Sequence, residues 1–99
     1  MNILKQHSEH LKTLCEQHNV ETLYVFGSAN SDTMKKDSDV DLLVKFKPFN
    51  IAHYFTNYME LKRKLQTLFN RDVDLLEEQT LSNPFLIKSI EKNKTLIYG

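Results

Sequence analysis

Two acidic residues separated by one position, Asp39 and Asp41, open the apolar run Val40-Asp41-Leu42-Leu43-Val44, and Gly27-Ser28 closes an earlier run, Leu23-Tyr24-Val25-Phe26. Side chains alternate along a strand, so Asp39 and Asp41 project from one face, a few ångströms apart. Carboxylates held that close repel each other, and the arrangement invites a cation. Apart from the terminal Gly99, Gly27 is the only glycine in the chain. A chain this sparing of glycine uses it where a side chain would obstruct, at a strand end or where backbone nears a ligand. Phosphate-accepting glycine-serine beside a carboxylate pair is the composition of a site for a metal-bound nucleotide. Asp74 is a third candidate: it interrupts the apolar segment Val73-Asp74-Leu75-Leu76, where an isolated charge is costly unless paired or metal-bound.

This set suits phosphoryl-group transfer. Two magnesium ions can align the nucleophile and the leaving oxygen and neutralise the charge that develops. Magnesium takes hard oxygen ligands and combines a few carboxylates with phosphate oxygens and water. Backbone N–H groups at Gly27-Ser28 and the Ser28 hydroxyl would hold phosphates, helped by a helix N-terminus if one starts there. Each motif alone is weak, because glycine-serine is ubiquitous and Asp-Ser-Asp is common in turns. Their joint occurrence, each beside a strand, carries the weight. Asp37-Ser38-Asp39-Val40-Asp41 also imitates the start of a calcium loop, but Leu42 stands where that loop needs glycine and Pro48 where it needs glutamate.

The elements that must position these residues follow from periodicity. Asn2 to His18 carries Ile3, Leu4, Leu11, Leu14 and Cys15 at helical spacing, with Asn19 as terminator. Thr22 to Phe26 is β-branched and aromatic, a short buried strand, and Val40 to Phe46 a second, with Val40, Leu42, Val44 and Phe46 opposite the aspartates. Between them Ser28 to Lys36 is polar, with room for one helical turn. Asn50 to Asn70 places Ile51, Tyr54, Phe55, Tyr58, Leu61, Leu65 and Leu68 on one helical stripe. Asp72 to Leu76 is a third strand. Pro84 opens a further helix whose buried side is Phe85, Leu86, Ile87 and Ile90, and Thr95 to Tyr98 closes the chain as an edge strand. The order α-β-β-α-β-α-β describes an α/β or α+β fold, a small mixed sheet flanked by helices.

The chain of 99 residues is expected to be one domain, 1–99, with 40% apolar and 26% charged residues, an ordinary globular composition. Zero formal net charge offers no general attraction to nucleic acid or anionic membrane. Lone Cys15, no signal-peptide h-region and no apolar run of membrane length fit a cytoplasmic protein. His7, His10, Cys15 and His18 are scattered along their helix and are read as ordinary side chains, not as a zinc cluster.

Gly27-Ser28, a short polar spacer, then Ser38-Asp39-Val40-Asp41-Leu42 resembles the signature of the DNA polymerase beta-like nucleotidyltransferase superfamily. The chain is most similar there to the minimal nucleotidyltransferases, and the likeness extends through Arg71-Asp72-Val73-Asp74-Leu75-Leu76 and the Asn83-Pro84 helix to Leu96-Ile97-Tyr98. The resemblance implies that Gly27 and Ser28 bind nucleotide phosphates and that Asp39, Asp41 and Asp74 form the catalytic and metal site, holding two magnesium ions. It implies transfer of a nucleoside monophosphate, AMP from ATP before any other triphosphate, to a hydroxyl acceptor. Many such proteins are antitoxins to a helical HEPN-domain partner, so the expected acceptor is a partner protein, ahead of an RNA. An antitoxin that acts by complex formation alone, and a homo-oligomer, stay open. One departure stands out: where the family often has arginine after Gly-Ser and an Arg-Gly further on, this chain reads Ala29-Asn30-Ser31-Asp32-Thr33-Met34, with Lys35 and Lys36 following.

Overall fold

Three α-helices and four strands follow one another in the expected order in the computed structural model, which describes residues 7–26, 39–48 and 50–99. They are α1 (Ser8–Gln17), β1 (Val20–Phe26), β2 (Val40–Phe46), α2 (Tyr54–Phe69), β3 (Val73–Glu77), α3 (Pro84–Asn93) and β4 (Thr95–Tyr98). The sheet order is β3-β2-β1-β4. Strand β2 runs parallel to β3 and antiparallel to β1, which is antiparallel to β4, so the sheet is mixed and β4 is an edge. Gly27, Ser28, the proposed turn within Ser28 to Lys36 and the first turn from Asn2 lie outside the described residues.

One face of the sheet carries the core. Leu11 and Cys15 from α1, Leu61, Leu65 and Phe69 from α2, and Val25, Leu42, Val44, Phe46, Val73 and Leu75 from the strands belong to a single buried cluster. The four alternating residues expected to turn away from the aspartates, Val40, Leu42, Val44 and Phe46, are all buried in it. Strand β1 starts two residues earlier than its β-branched content suggests, at Val20, and its pairing with β2 shifts register between Val20 and Thr22. That irregularity lets Val20 and Leu23, three residues apart, both face the core.

Local chemistry sets several boundaries. Asn19 and Asn70 end α1 and α2 at φ 60° and 53°, the left-handed conformation that asparagine tolerates. The Asn50 carboxamide accepts from Ala52 N–H at 2.9 Å and starts a short 3₁₀ turn, Ile51–His53, ahead of α2. The Asn83 side chain accepts from Phe85 and Leu86 N–H at 3.0 and 3.3 Å, with Pro84 at the first helical position.

Two apolar assignments differ from expectation. Phe85 is 84% exposed and Leu86 is exposed as well, because the buried line of α3 runs through Ile90 and half-buried Ile87. Phe85, five residues before Ile90, is turned about 140° around the helix from it at 100° per residue. Ile51 and Phe55 are also exposed: Ile51 belongs to the 3₁₀ turn, and Phe55 lies about 90° from the Tyr58-Leu61-Leu65 stripe by the same spacing. No helix among the described residues is long and apolar enough to cross a membrane.

His18 and Cys15 serve packing. His18 is buried, its Nδ1–H donates to the Leu14 carbonyl at 2.8 Å, and its own carbonyl accepts from Asn57 Nδ2 at 2.8 Å, tying α1 to α2. Among the described residues no His, Cys, Asp or Glu side chains gather as a metal cluster. Burial, with a smaller contribution from Glu16, pushes the Cys15 thiol up to about 12 from an ordinary 9.0. Native protein is therefore expected to resist iodoacetamide at pH 8 to 9 and to react only after unfolding in urea, as the thiolate is the reactive form. Because the folded-state value is raised, the protonated thiol's contribution to stability is complete below about pH 9 and is lost as pH climbs toward 12. Fast alkylation of folded protein would contradict both statements.

Candidate active site

The parallel pairing of β2 with β3 decides where the acids meet. Its register matches Val40 with Val73, Asp41 with Asp74 and Leu42 with Leu75. The valine and leucine pairs are buried on the helical face, so Asp41 and Asp74 stand side by side on the opposite one. Asp39 immediately precedes β2, and the neighbouring Val40 N–H donates to the Asp72 carbonyl at 2.9 Å, closing the same end of the sheet. Asp39 and Asp74 are exposed and Asp41 is half-buried. Burial first, then the charges of Asp74 and Asp39, push the Asp41 carboxyl above its ordinary range. Asp41 thus senses both of the other acids singled out by sequence.

Both tyrosines on the core side of α2 brace β3. The Tyr58 hydroxyl donates to the Leu75 carbonyl and the Tyr54 hydroxyl to a Glu77 carboxylate oxygen, while the Tyr54 ring meets Phe46 edge-on at 5.6 Å. Burial and then Asp74 raise the Tyr58 hydroxyl, and burial raises the Glu77 carboxyl. These contacts fix the strand that carries Asp74 relative to α2.

A cleft of about 590 Å³ opens beside Asp39, with Arg63, Thr67, Arg71 and Asp72 on its walls. Arg63, in the basic run Lys62-Arg63-Lys64 of α2, is exposed and shares this cleft with Asp39. Thr67, one helical turn further on, and Arg71, whose N–H donates to the Gln66 carbonyl at 3.3 Å, line the same cleft. Asp72 is exposed, as the alternation with Val73 requires.

The donor set suits magnesium: hard carboxylate oxygens from two adjacent strands, with the Asp41 carboxyl raised first by burial and then by its like-charged neighbours. Among the described residues no group of three such side chains is drawn tightly enough to cage a metal by itself. Magnesium does not require that, since phosphate oxygens and water complete its shell in nucleotide sites.

The family model described as polymerase beta, nucleotidyltransferase matches residues 9–99. The chain belongs to the polymerase beta nucleotidyltransferase family. A relative from Methanocaldococcus jannaschii, provisionally named protein adenylyltransferase MJ1379, is 33% identical over 90 residues, which span 91% of this chain and 87% of that protein. A solved structure described provisionally as a minimal nucleotidyltransferase superposes with a TM-score of 0.76 at 29% identity, covering 93% of this chain and 90% of that one. The MNT antitoxin solved with a tri-AMPylated HEPN toxin from Shewanella oneidensis has a TM-score of 0.67 at 19% identity, covering 97% and 72%, and speaks for the fold alone. As in those minimal nucleotidyltransferases, the fold of this family member is a mixed four-stranded sheet carrying its helices.

Proposed function

We propose that this nucleotidyltransferase moves AMP from magnesium-bound ATP to a hydroxyl group on a protein partner, a helical HEPN-type toxin. The register that sets Asp41 beside Asp74, with Asp39 at the same sheet end, is the observation that carries the reading. The relationship to a protein adenylyltransferase and the likeness to an antitoxin solved with an AMPylated toxin support the substrate and the acceptor. ATP as substrate and a reduced, buried Cys15 fit a cytoplasmic setting.

In this reading Asp39 and Asp41 hold magnesium, Asp74 completes the site on the acceptor side, and Gly27 and Ser28 hold the triphosphate. Bound magnesium would supply charge neutralisation at the reacting phosphate. The acceptor oxygen bonds to the α-phosphorus, the bond from that phosphorus to the α–β bridging oxygen breaks, and pyrophosphate leaves. In the same reading Asp74, carried by a different strand from Asp41, takes the hydroxyl proton or orients the hydroxyl.

The test is to incubate the protein with labelled ATP, magnesium and a co-expressed HEPN-type partner, then locate the added mass by mass spectrometry. The expected result is AMP on a partner hydroxyl side chain, abolished by chelator. A tight complex whose partner gains no AMP would replace transfer with inhibition by binding. Efficient turnover on a free small molecule would overturn the protein acceptor.

A further inference from the structure

The face that carries Asp41 and Asp74 also carries a cation. Phe26 pairs with Asp41 on one side of β1, and on the other side Val25 pairs with Thr95. One more step of that antiparallel register sets Lys94 beside Phe26. The row across the sheet end is therefore Asp74, Asp41, Phe26, Lys94, one residue from each strand or its immediate start. Lys94 turns to the acidic face, since its Nζ lies 4.3 Å from the centroid of the Tyr24 ring and Tyr24 alternates with the core residues Leu23 and Val25. With strands about 4.8 Å apart, the backbones of Asp41 and Lys94 are about 10 Å from each other.

That separation suits a triphosphate. A nucleotide with its α-phosphate at the carboxylates would bring its β- and γ-phosphates within reach of Lys94 when they lie along this row toward β4. Ala29 stands where the family often places arginine, so that position supplies no charge to the phosphates in this chain. Lys45, the other lysine aligned with this face on β2, lies four residues beyond Asp41 and is already paired with Glu21 at 3.2 Å. Lys94 has no carboxylate partner among the described residues, and an aromatic face orients an ammonium without cancelling its charge. An ammonium is a strong point-charge partner for phosphate.

We infer that Lys94 holds the β- and γ-phosphates of the bound nucleoside triphosphate and thus the pyrophosphate that leaves. This inference rests on the adenylyltransferase reading, because it needs a triphosphate at the carboxylate row. It assigns Lys94 the charge that arginine often supplies in the family, delivered from the last strand instead of from the segment after Gly27-Ser28.

Calorimetry on the wild type, Lys94→Ala and Lys94→Arg, each with MgATP, AMP and magnesium pyrophosphate, tests it. Lys94→Ala should bind MgATP and pyrophosphate about tenfold more weakly, the loss typical of one charge-assisted contact, with AMP affinity unchanged and Lys94→Arg restoring most of the loss. A Lys94→Ala protein that binds MgATP like the wild type overturns the inference and leaves the adenylyltransferase reading standing. Equal weakening for AMP and MgATP, or a lowered Tm without discrimination between them, also overturns it by reducing Lys94 to a packing role over Tyr24. Wild-type protein that ignores MgATP altogether removes the parent reading and this inference with it.

Discussion

Replacing Asp41 with asparagine is expected to lower AMP transfer by about 10³-fold, the scale of several kcal/mol of metal-borne charge stabilisation. Asparagine keeps the shape and loses the charge, so the fold should stand. Asp41 is half-buried and its carboxyl is raised by burial and by the charges of Asp74 and Asp39. Removing its charge relieves that repulsion, and metal-free Asp41→Asn should melt no lower than the wild type. The same substitution should weaken magnesium-dependent ATP binding. Asp74→Asn should behave differently, because Asp74 reaches the site from the edge strand β3: ATP affinity is largely kept and the rate falls, the pattern of an interaction made mainly in the transition state. Single-turnover transfer of labelled AMP, with Tm as the folding control, checks both. A folded Asp41→Asn protein transferring at the wild-type rate would defeat the assignment of this site.

Leu42→Ala should cost about 2 to 5 kcal/mol of stability, the range for truncating a buried leucine. Leu42 is fully buried on an inner strand, in register with Val25 on one side and Leu75 on the other. The surrounding β-sheet cannot collapse around the missing atoms without giving up backbone pairing. Domains of this class hold only about 5 to 15 kcal/mol in total, so the variant should approach the unfolding threshold at physiological temperature. Urea titration measures the shift, and an unchanged midpoint with an unchanged slope would contradict the burial. Leu42 directly follows Asp41, so the loss should loosen the acidic row too, and MgATP should recover part of it by mass action.

The polar caps and the alternating strands were legible because they are local. Asn50 and Asn83 accept from N–H groups two or three residues on, and Asn19 and Asn70 take the left-handed conformation at helix ends. Phe55 and Phe85 were misjudged because an apolar side chain in a helix can sit beyond the angular limit of the contact, and only the packed sheet shows where that limit falls. Arg63 and Lys94 each look like a solvated charge along the chain, and only their neighbours on other elements show otherwise.

Sequence alone determined what depends on short separations. Asp39 and Asp41 share a face because side chains alternate along an extended chain. The four residues turned the other way are buried because all are apolar. The Gly27-Ser28 to Asp41 signature marked the family that the match over residues 9–99 establishes. Tertiary structure alone decided which strands became neighbours and in what register. The pairing of Asp41 with Asp74, of Phe26 with Asp41 and of Val25 with Thr95 at the start of β4 joins segments far apart in the chain. Such pairings are chosen by the helices that pack on one face of the sheet and by parallel and antiparallel alignment together. A shift of one residue would have sent Asp74 into the core and Val73 to solvent, so burial of the apolar set on β3 is the force that aligned the third carboxylate with the other two.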